Sequence, residues 1–196
     1  MSLFKDQKVA YEYRGHKVLT GKAVFPDNKE HEWTTVDFQN SVSILPINAE
    51  TGKLILIKQY RPALKAWCIE QVAGGIEPEL SIMQNAQKEV LEEIGYQVPE
   101  EYIYHIHDFY FTPGLMNFKT HFFIALCKNF VGQQLEETEL IQVVEMTEPE
   151  LFKIIAENKE LVDPEILVGL SVYRNVFLGQ KTWMQEIIKK YGEGEV

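Results

Sequence analysis

The chain lacks the features that would place it in several large classes. No apolar run approaches the roughly 20 residues that a membrane helix needs, so the sequence predicts no membrane span and no membrane partner. The opening stretch MSLFKDQKVAYEYRG has no basic region followed by an apolar one, which argues against a secretory leader and makes a cytoplasmic location the expectation. Only two cysteines occur among 196 residues, Cys68 in AWCIEQV and Cys127 in FFIALCKN. They are far apart, lack metal-ligand spacing and sit in apolar strand-like runs, so buried free thiols in a reducing compartment are expected. Positive charge is scarce as well: 19 Lys and Arg against 29 Asp and Glu leave a net charge of -10. That balance repels nucleic acid at long range and disfavours a polymeric nucleic-acid partner. Gly74-Gly75 has neither Rossmann spacing nor the GK[ST] ending of a phosphate-binding loop.

What is present describes an ordinary globular chain, with 45% hydrophobic, 12% aromatic and 24% charged residues. Its length suits one main domain with a small appendage. From Val9 to about Phe38 short alternating stretches are separated by turn signals at Arg14-Gly15 and Phe25-Pro26-Asp27-Asn28, which predicts three antiparallel strands. Residues 1–39 are therefore read as an N-terminal sheet and 40–196 as the main domain. SVSILPIN and KLILIKQY read as core strands, and WCIEQVA as another that ends at Gly74-Gly75. Ser81 offers an N-cap and Gly95 a C-cap for a helix between them. YIYHIHDFYFT, KTHFFIALCKNF and LIQVVEM read as strands. TEPELFKIIAENK is a helix with Thr147 as cap and Glu150 in the capping-box position. DPEILVGLSVYRNVFLG and KTWMQEIIKKYG read as further helices. Mixed strands with interposed helices predict the α+β class, as a layered α/β/α sandwich.

The helix from 81 to 95 carries the string Lys88-Glu89-Val90-Leu91-Glu92-Glu93-Ile94-Gly95. At 3.6 residues per turn, Glu89 and Glu93 lie about 40° apart and Glu92 about 60° to the other side of Glu89. The three carboxylates share a stripe, and Ala86, Val90 and Ile94 form an apolar stripe beside it. Like charges one turn apart repel. Such a stripe is either a solvated outer face or a site for a hard cation, which prefers carboxylate oxygens and phosphate.

In its wider setting this segment resembles the Nudix box, G-x5-E-x7-R-E-U-x-E-E-x-G-U, where U is bulky and apolar. Gly74, Glu89, Val90, Glu92, Glu93, Gly95 and Tyr96 fall on the pattern, whereas Leu80 replaces its first Glu and Lys88 its Arg. The resemblance implies a Nudix fold and Mg2+ as cofactor, with Mn2+ able to replace it. The implied metal ligands are Glu89, Glu92, Glu93 and the carbonyl oxygen of Ala73.

The resemblance extends to most of the chain. Gln59-Tyr60-Arg61-Pro62, Glu70-Gln71-Val72-Ala73-Gly74 and Thr112-Pro113-Gly114-Leu115 look like signatures of the ADP-ribose pyrophosphatase and nucleoside diphosphate sugar hydrolase group. Gln71-Val72 stands where that group has an apolar residue and Pro. By this resemblance the substrate is a nucleotide sugar, ADP-ribose first, split into AMP and ribose 5-phosphate. GDP-mannose or another nucleoside diphosphate sugar is the alternative, as is a catalytically weak nucleotide-sugar-binding domain. Trp33 would stack on the base, Arg61 would hold the diphosphate, and Glu70, Gly114 and Leu115 would complete the substrate site. Val18 stands at the position of a second stacking aromatic. The loop Gln134 to Leu140 would supply the base, with Glu137 favoured and Glu139 as extra metal ligand or alternative base beside Glu92. The N-terminal sheet would join two chains into a homodimer. His105 and His107 alternate on one strand without a third ligand close in sequence, so they read as packing or surface residues, and His121 as a satisfied structural histidine.

Overall fold

The computed structural model describes residues 3–135 and 139–177. The alternating N-terminal stretches form a separate antiparallel sheet of β1 (Lys5–Tyr13), β2 (His16–Val24) and β3 (Glu30–Asp37), beginning four residues earlier than the alternation suggests. Arg14 and Gly15 both have positive φ, 48° and 81°, as a tight two-residue hairpin turn requires. All nine residues of β1 are exposed, Val9, Tyr11 and Tyr13 among them. The sheet is tied to the rest of the chain through β3. The Val36 N–H and the Thr35 hydroxyl both donate to the Leu115 carbonyl, at 2.9 and 2.7 Å, and the Asn117 amide donates to Asp37 at 2.8 Å.

The main sheet uses β4 (Ser41–Asn48), β5 (Leu54–Arg61), β6 (Ala66–Glu70) and β7 (Val72–Gly75). Helix α1 (Ile82–Ile94) and the short β8 (Tyr96–Gln97) follow. Then come β9 (Ile103–Phe109), β10 (Thr120–Cys127), β11 (Asn129–Phe130), β12 (Ile141–Met146), α2 (Glu148–Ala156), β13 (Leu161–Val162) and α3 (Glu165–Val172). Strand order is β13-β6-β5-β4-β10-β9, with β12 on β5 and β7 on β4, while β8 and β11 pair separately. The β4–β10 and β6–β13 pairs are parallel and the remainder antiparallel. β4 is buried from Val42 to Ile47 because both of its faces are covered. Its Pro46 falls between pairing with β7, which ends at Ile44, and pairing with β5, which starts at Ile47, so the missing N–H breaks no ladder on that side.

α1 packs one face of the sheet through Ala86, Val90 and Ile94, all fully buried. α2 and α3 cover the other through Leu151, Ile166 and Leu170. The result is the expected α+β, α/β/α arrangement. Ser81 and Gly95 cap α1, and Thr147 with Glu150 forms the capping box of α2. WCIEQVA differs from expectation: it is two strands, because at Gln71 the chain leaves β5 and crosses to pair with β4. The helix expected from Asp163 begins at Glu165, with Pro164 as its cap, runs through Val172 and then widens into a single looser turn at Tyr173–Phe177. The expected helix at 181–192 lies outside the described residues. Both cysteines are free and buried, and no helix among the described residues is long and apolar enough to cross a membrane.

The crossover residue Gln71 is anchored from below. Its amide donates to Ser43 Oγ at 2.5 Å, and Ser43 in turn donates to Glu165 Oε2 at 2.5 Å. Burial pushes the Glu165 carboxyl up to about 7 from 4.5, with Asp163 and Glu70 adding and the Ser43 bond opposing. A carboxyl whose folded pKa is raised stabilises the fold below its unfolded pKa and loses that contribution as pH rises through the folded one. Glu165→Gln keeps an acceptor for Ser43 without the charge. Thermal melts should show the wild-type chain losing more stability between pH 5 and pH 8 than the variant; equal losses would contradict the buried, proton-holding role.

Candidate active site

The crossover at Gln71 sends Ala73 and Gly74 under the polar stripe of α1. Along that stripe Asn85, Glu89 and Glu93 follow one another at four-residue spacing and are all buried. Asn85 holds the loop before the helix: its Oδ1 accepts from the Glu77 N–H at 2.8 Å, and its Nδ2 donates to the carbonyls of Glu77, Leu80 and Ser81. Glu93, 2% exposed, accepts from the Ala73 N–H at 3.2 Å. Glu89, 7% exposed, fills the space that Gly74 leaves open, where a Cβ would collide with its carboxylate. A side chain at Gly74 would thus displace the Glu89 carboxylate.

Two carboxylates taken out of water side by side resist ionisation. Burial pushes Glu93 up to about 9, with Glu89 and Glu139 adding to the shift and the Ala73 N–H and Arg61 opposing it. Burial likewise pushes Glu89 up to about 7; Lys88 opposes, and Glu92 and Glu139 add. Glu92 is more open and pairs with Lys88 Nζ at 2.5 Å, while the same ammonium lies 3.6 Å from Glu89 and 3.4 Å from Glu77. Burial disfavours that ammonium, but the three glutamates outweigh it and raise the Lys88 pKa. Among the described residues the pocket therefore gathers more carboxyl groups than the two cations that bear on it, Lys88 and Arg61, can balance. All its donors are hard oxygens, so Glu89, Glu93 and their neighbours fit a hard divalent cation.

Other residues singled out by the sequence gather at this face. Arg61 and Glu70 form a two-pronged ion pair, Nε to Oε1 at 2.8 Å and Nη2 to Oε2. The sequence suggested separate contacts for them and gave no sign of the pairing. The Glu70 partnership raises the Arg61 pKa, and Glu93 is close enough to add to it. Glu139 is close enough to raise both buried glutamates. The segment 131–134 that precedes it in sequence is held to the end of α1, where carbonyls lack helical partners. Gly95 O accepts from Val131 and Gly132, Glu92 O from the Gln134 N–H, and Glu93 O from the Gln133 side chain. Gly95 is needed twice, for its φ of 75° and because a Cβ would sit 2.6 Å from Gly132. Glu137 lies outside the described residues.

Trp33 is on β3, 41% exposed, edge-on to Phe25 at 5.7 Å. Among the described residues its ring contact is with Phe25, and no hydrogen bond or ion pair joins it to the acidic pocket within one chain. Gly114 is open on its Cβ side, and Leu115 is exposed but its carbonyl braces the N-terminal sheet. Asn85, Ser43 and Glu165 were not singled out by the sequence, and Gln71 only as a departure from the group's pattern. An Asn inside a helix on a stripe shared with two glutamates is the one signal that could have pointed to its anchoring role.

Comparison with known proteins gives a consistent picture. A family model described as "NUDIX domain" matches residues 37–165. The ADP-ribose pyrophosphatase of Bacillus subtilis (strain 168) is 27% identical over 181 residues, covering 87% of this chain and 94% of that protein. The GDP-mannose pyrophosphatase of Shigella flexneri serotype 5b (strain 8401) is 31% identical over 136 residues, 64% of this chain and 68% of that protein. A solved crystal structure of an ADP compounds hydrolase superposes with a TM-score of 0.66 at 17% identity, over 96% of this chain and 94% of that one, a likeness of fold.

The fit of Glu89 to Gly74 is directly testable. Gly74→Ala should leave the circular dichroism spectrum unchanged and weaken Mg2+ binding by about tenfold or more, measured by calorimetry. Wild-type affinity in that variant would place the cation elsewhere.

Proposed function

The chain belongs to the NUDIX domain family, in its ADP-ribose pyrophosphatase and nucleoside diphosphate sugar hydrolase group, and from that premise we propose that it hydrolyses the pyrophosphate bond of a nucleoside diphosphate sugar with Mg2+. As an enzyme it is a Nudix pyrophosphohydrolase. ADP-ribose is the first substrate choice, giving AMP and ribose 5-phosphate, and GDP-mannose the second, since relatives named for each resemble this chain. The observation that carries the reading is the pair of buried carboxylates, Glu89 and Glu93, set against Ala73-Gly74 inside the matched segment.

Glu89, Glu92 and Glu93 with the Ala73 carbonyl would hold Mg2+, with Mn2+ as a substitute. When bound, the ion neutralises the diphosphate and acidifies a water for attack at phosphorus. Glu70 fixes the plane of Arg61 and leaves its Nη1 donors for a phosphate oxygen. Glu139, or Glu137 from the same loop, accepts the proton of the attacking water. Gly114 and Leu115 contribute to the substrate site, and Trp33 stacks on the base.

The N-terminal sheet, residues 1–39, serves as the dimerisation and base-binding unit of the 40–196 hydrolase domain. A strand exposed at all nine positions, with Val9 51%, Tyr11 63% and Tyr13 58% exposed, favours cover by a second copy of the chain. A homodimer would also bring Trp33 of one chain to the pocket of the other. The reducing cytoplasm is the compartment that suits two free thiols.

The test is hydrolysis of ADP-ribose, GDP-mannose, ADP-glucose and UDP-glucose with Mg2+ and with EDTA. ADP-ribose should give AMP, the activity should vanish with EDTA, and Glu93→Gln should retain the fold and lose about a hundredfold or more in turnover. Preference for GDP-mannose would move the substrate within the class. No cleavage of any of them, with nucleotide sugar still bound, would replace the hydrolase by a binding domain in which Lys88 already occupies the carboxylates.

A further inference from the structure

A second cluster of ligating side chains lies two strands across the sheet from Gly74, since His121 pairs with Val42 and Val42 with Gly74, at the point where a β-bulge joins the edge strand β9 to β10. Asp108 pairs with His121 and His107 with Phe122, but the next pairing is His105 with Phe123, so Ile106 is an extra residue on β9. Residues three apart on a regular strand face opposite sides. The inserted residue reverses this, and His105 and Asp108 point to the same face. Ile106 is packed with Phe109 and Phe122 on the other face, where His107 also lies against Phe109. The pattern His105-x-His107 therefore does not form a pair.

On the shared face the His105 Nε2 lies 3.0 Å and the His121 Nδ1 2.7 Å from the same oxygen of Asp108. The ligand atoms of all three lie within 4.8 Å of one another. Asp108 Oδ2 is fixed by Lys119 Nζ at 3.1 Å, the kind of outer contact that orients a ligating carboxylate. The His105 side chain is 45% exposed and gives access, whereas that of His121 is 9% exposed and fixed.

We propose that His105, Asp108 and His121 bind a borderline transition-metal cation of the zinc class, separately from the glutamate pocket. Metal–ligand bonds of about 2.0–2.2 Å in a tetrahedral site put ligand atoms about 3.3 Å apart. The observed separations reach that by shifts below about 1 Å, with water as the fourth ligand. Two imidazoles and one carboxylate select such an ion over Mg2+, which takes oxygen ligands. The ion staples β9 to β10 beside the 110–119 segment, whose Leu115 and Asn117 hold the N-terminal sheet.

The experiment uses the full chain without a polyhistidine tag, titrated with Co2+ in excess Mg2+ and followed by visible absorption. The intense bands of low-coordinate cobalt should appear at one equivalent per chain and persist in Glu93→Gln. In His105→Ala, folded as judged by its melt, cobalt affinity should fall about tenfold or more. Absence of the bands in the wild-type chain, or equal affinity in His105→Ala, would overturn the proposal.

Discussion

Burying two carboxylates of one helix against a strand crossover is the constraint on which the rest of the molecule depends. Glu89 and Glu93 are nearly sealed from solvent, and their carboxyls are pushed to about 7 and about 9. A buried unpaired charge is expensive. The surrounding structure holds that arrangement: Gly74 gives Glu89 its space, the Ala73 N–H meets Glu93, and Lys88 links the buried Glu89 to the more open Glu92. The apolar stripe of α1 supplies the burial that keeps the helix in place, at about 1.5–3 kcal/mol for each of Val90 and Ile94.

Much of this could be read from the residues in order. Caps at Ser81, Gly95 and Thr147 follow from local hydrogen-bond chemistry, and the stripe of Ala86, Val90 and Ile94 follows from helical period, so both were legible. The break at Gln71 was not, because WCIEQVA is apolar on both sides of it and only the choice of partner strand changes there. The bulge at Ile106 was hidden for a similar reason: an extra residue leaves no mark on a strand with no strict alternation. The Arg61–Glu70 pair depends on tertiary proximity, as does the use of the Leu115 carbonyl to brace β3. Substrate roles for Trp33, Gly114 and Leu115 rest on resemblance, since base stacking and loop contacts are set by a ligand and, in the proposed dimer, by a second chain.

The electrostatics of the whole chain follow the same logic. A net charge of -10 would oppose a diphosphate ligand. In the proposed reading, divalent cations held among the glutamates would reverse the local sign where the diphosphate would sit. Arg61, held flat by Glu70 and close enough to Glu93 to respond to it, is the fixed cation at that edge. Residues 131–134, which lead toward Glu139, are tied to the last turn of α1 by hydrogen bonds to Glu92, Glu93 and Gly95.

The central claim is that the buried glutamates exchange protons for a divalent cation. The direct measurement is calorimetry of Mg2+ binding at pH 8 in two buffers of different ionisation enthalpy, for the wild-type chain and for Glu93→Gln. With Glu93 titrating at about 9 in the free protein, binding should release roughly one proton per site, and most of that release should be lost in the variant. A binding heat that does not depend on the buffer would contradict the account.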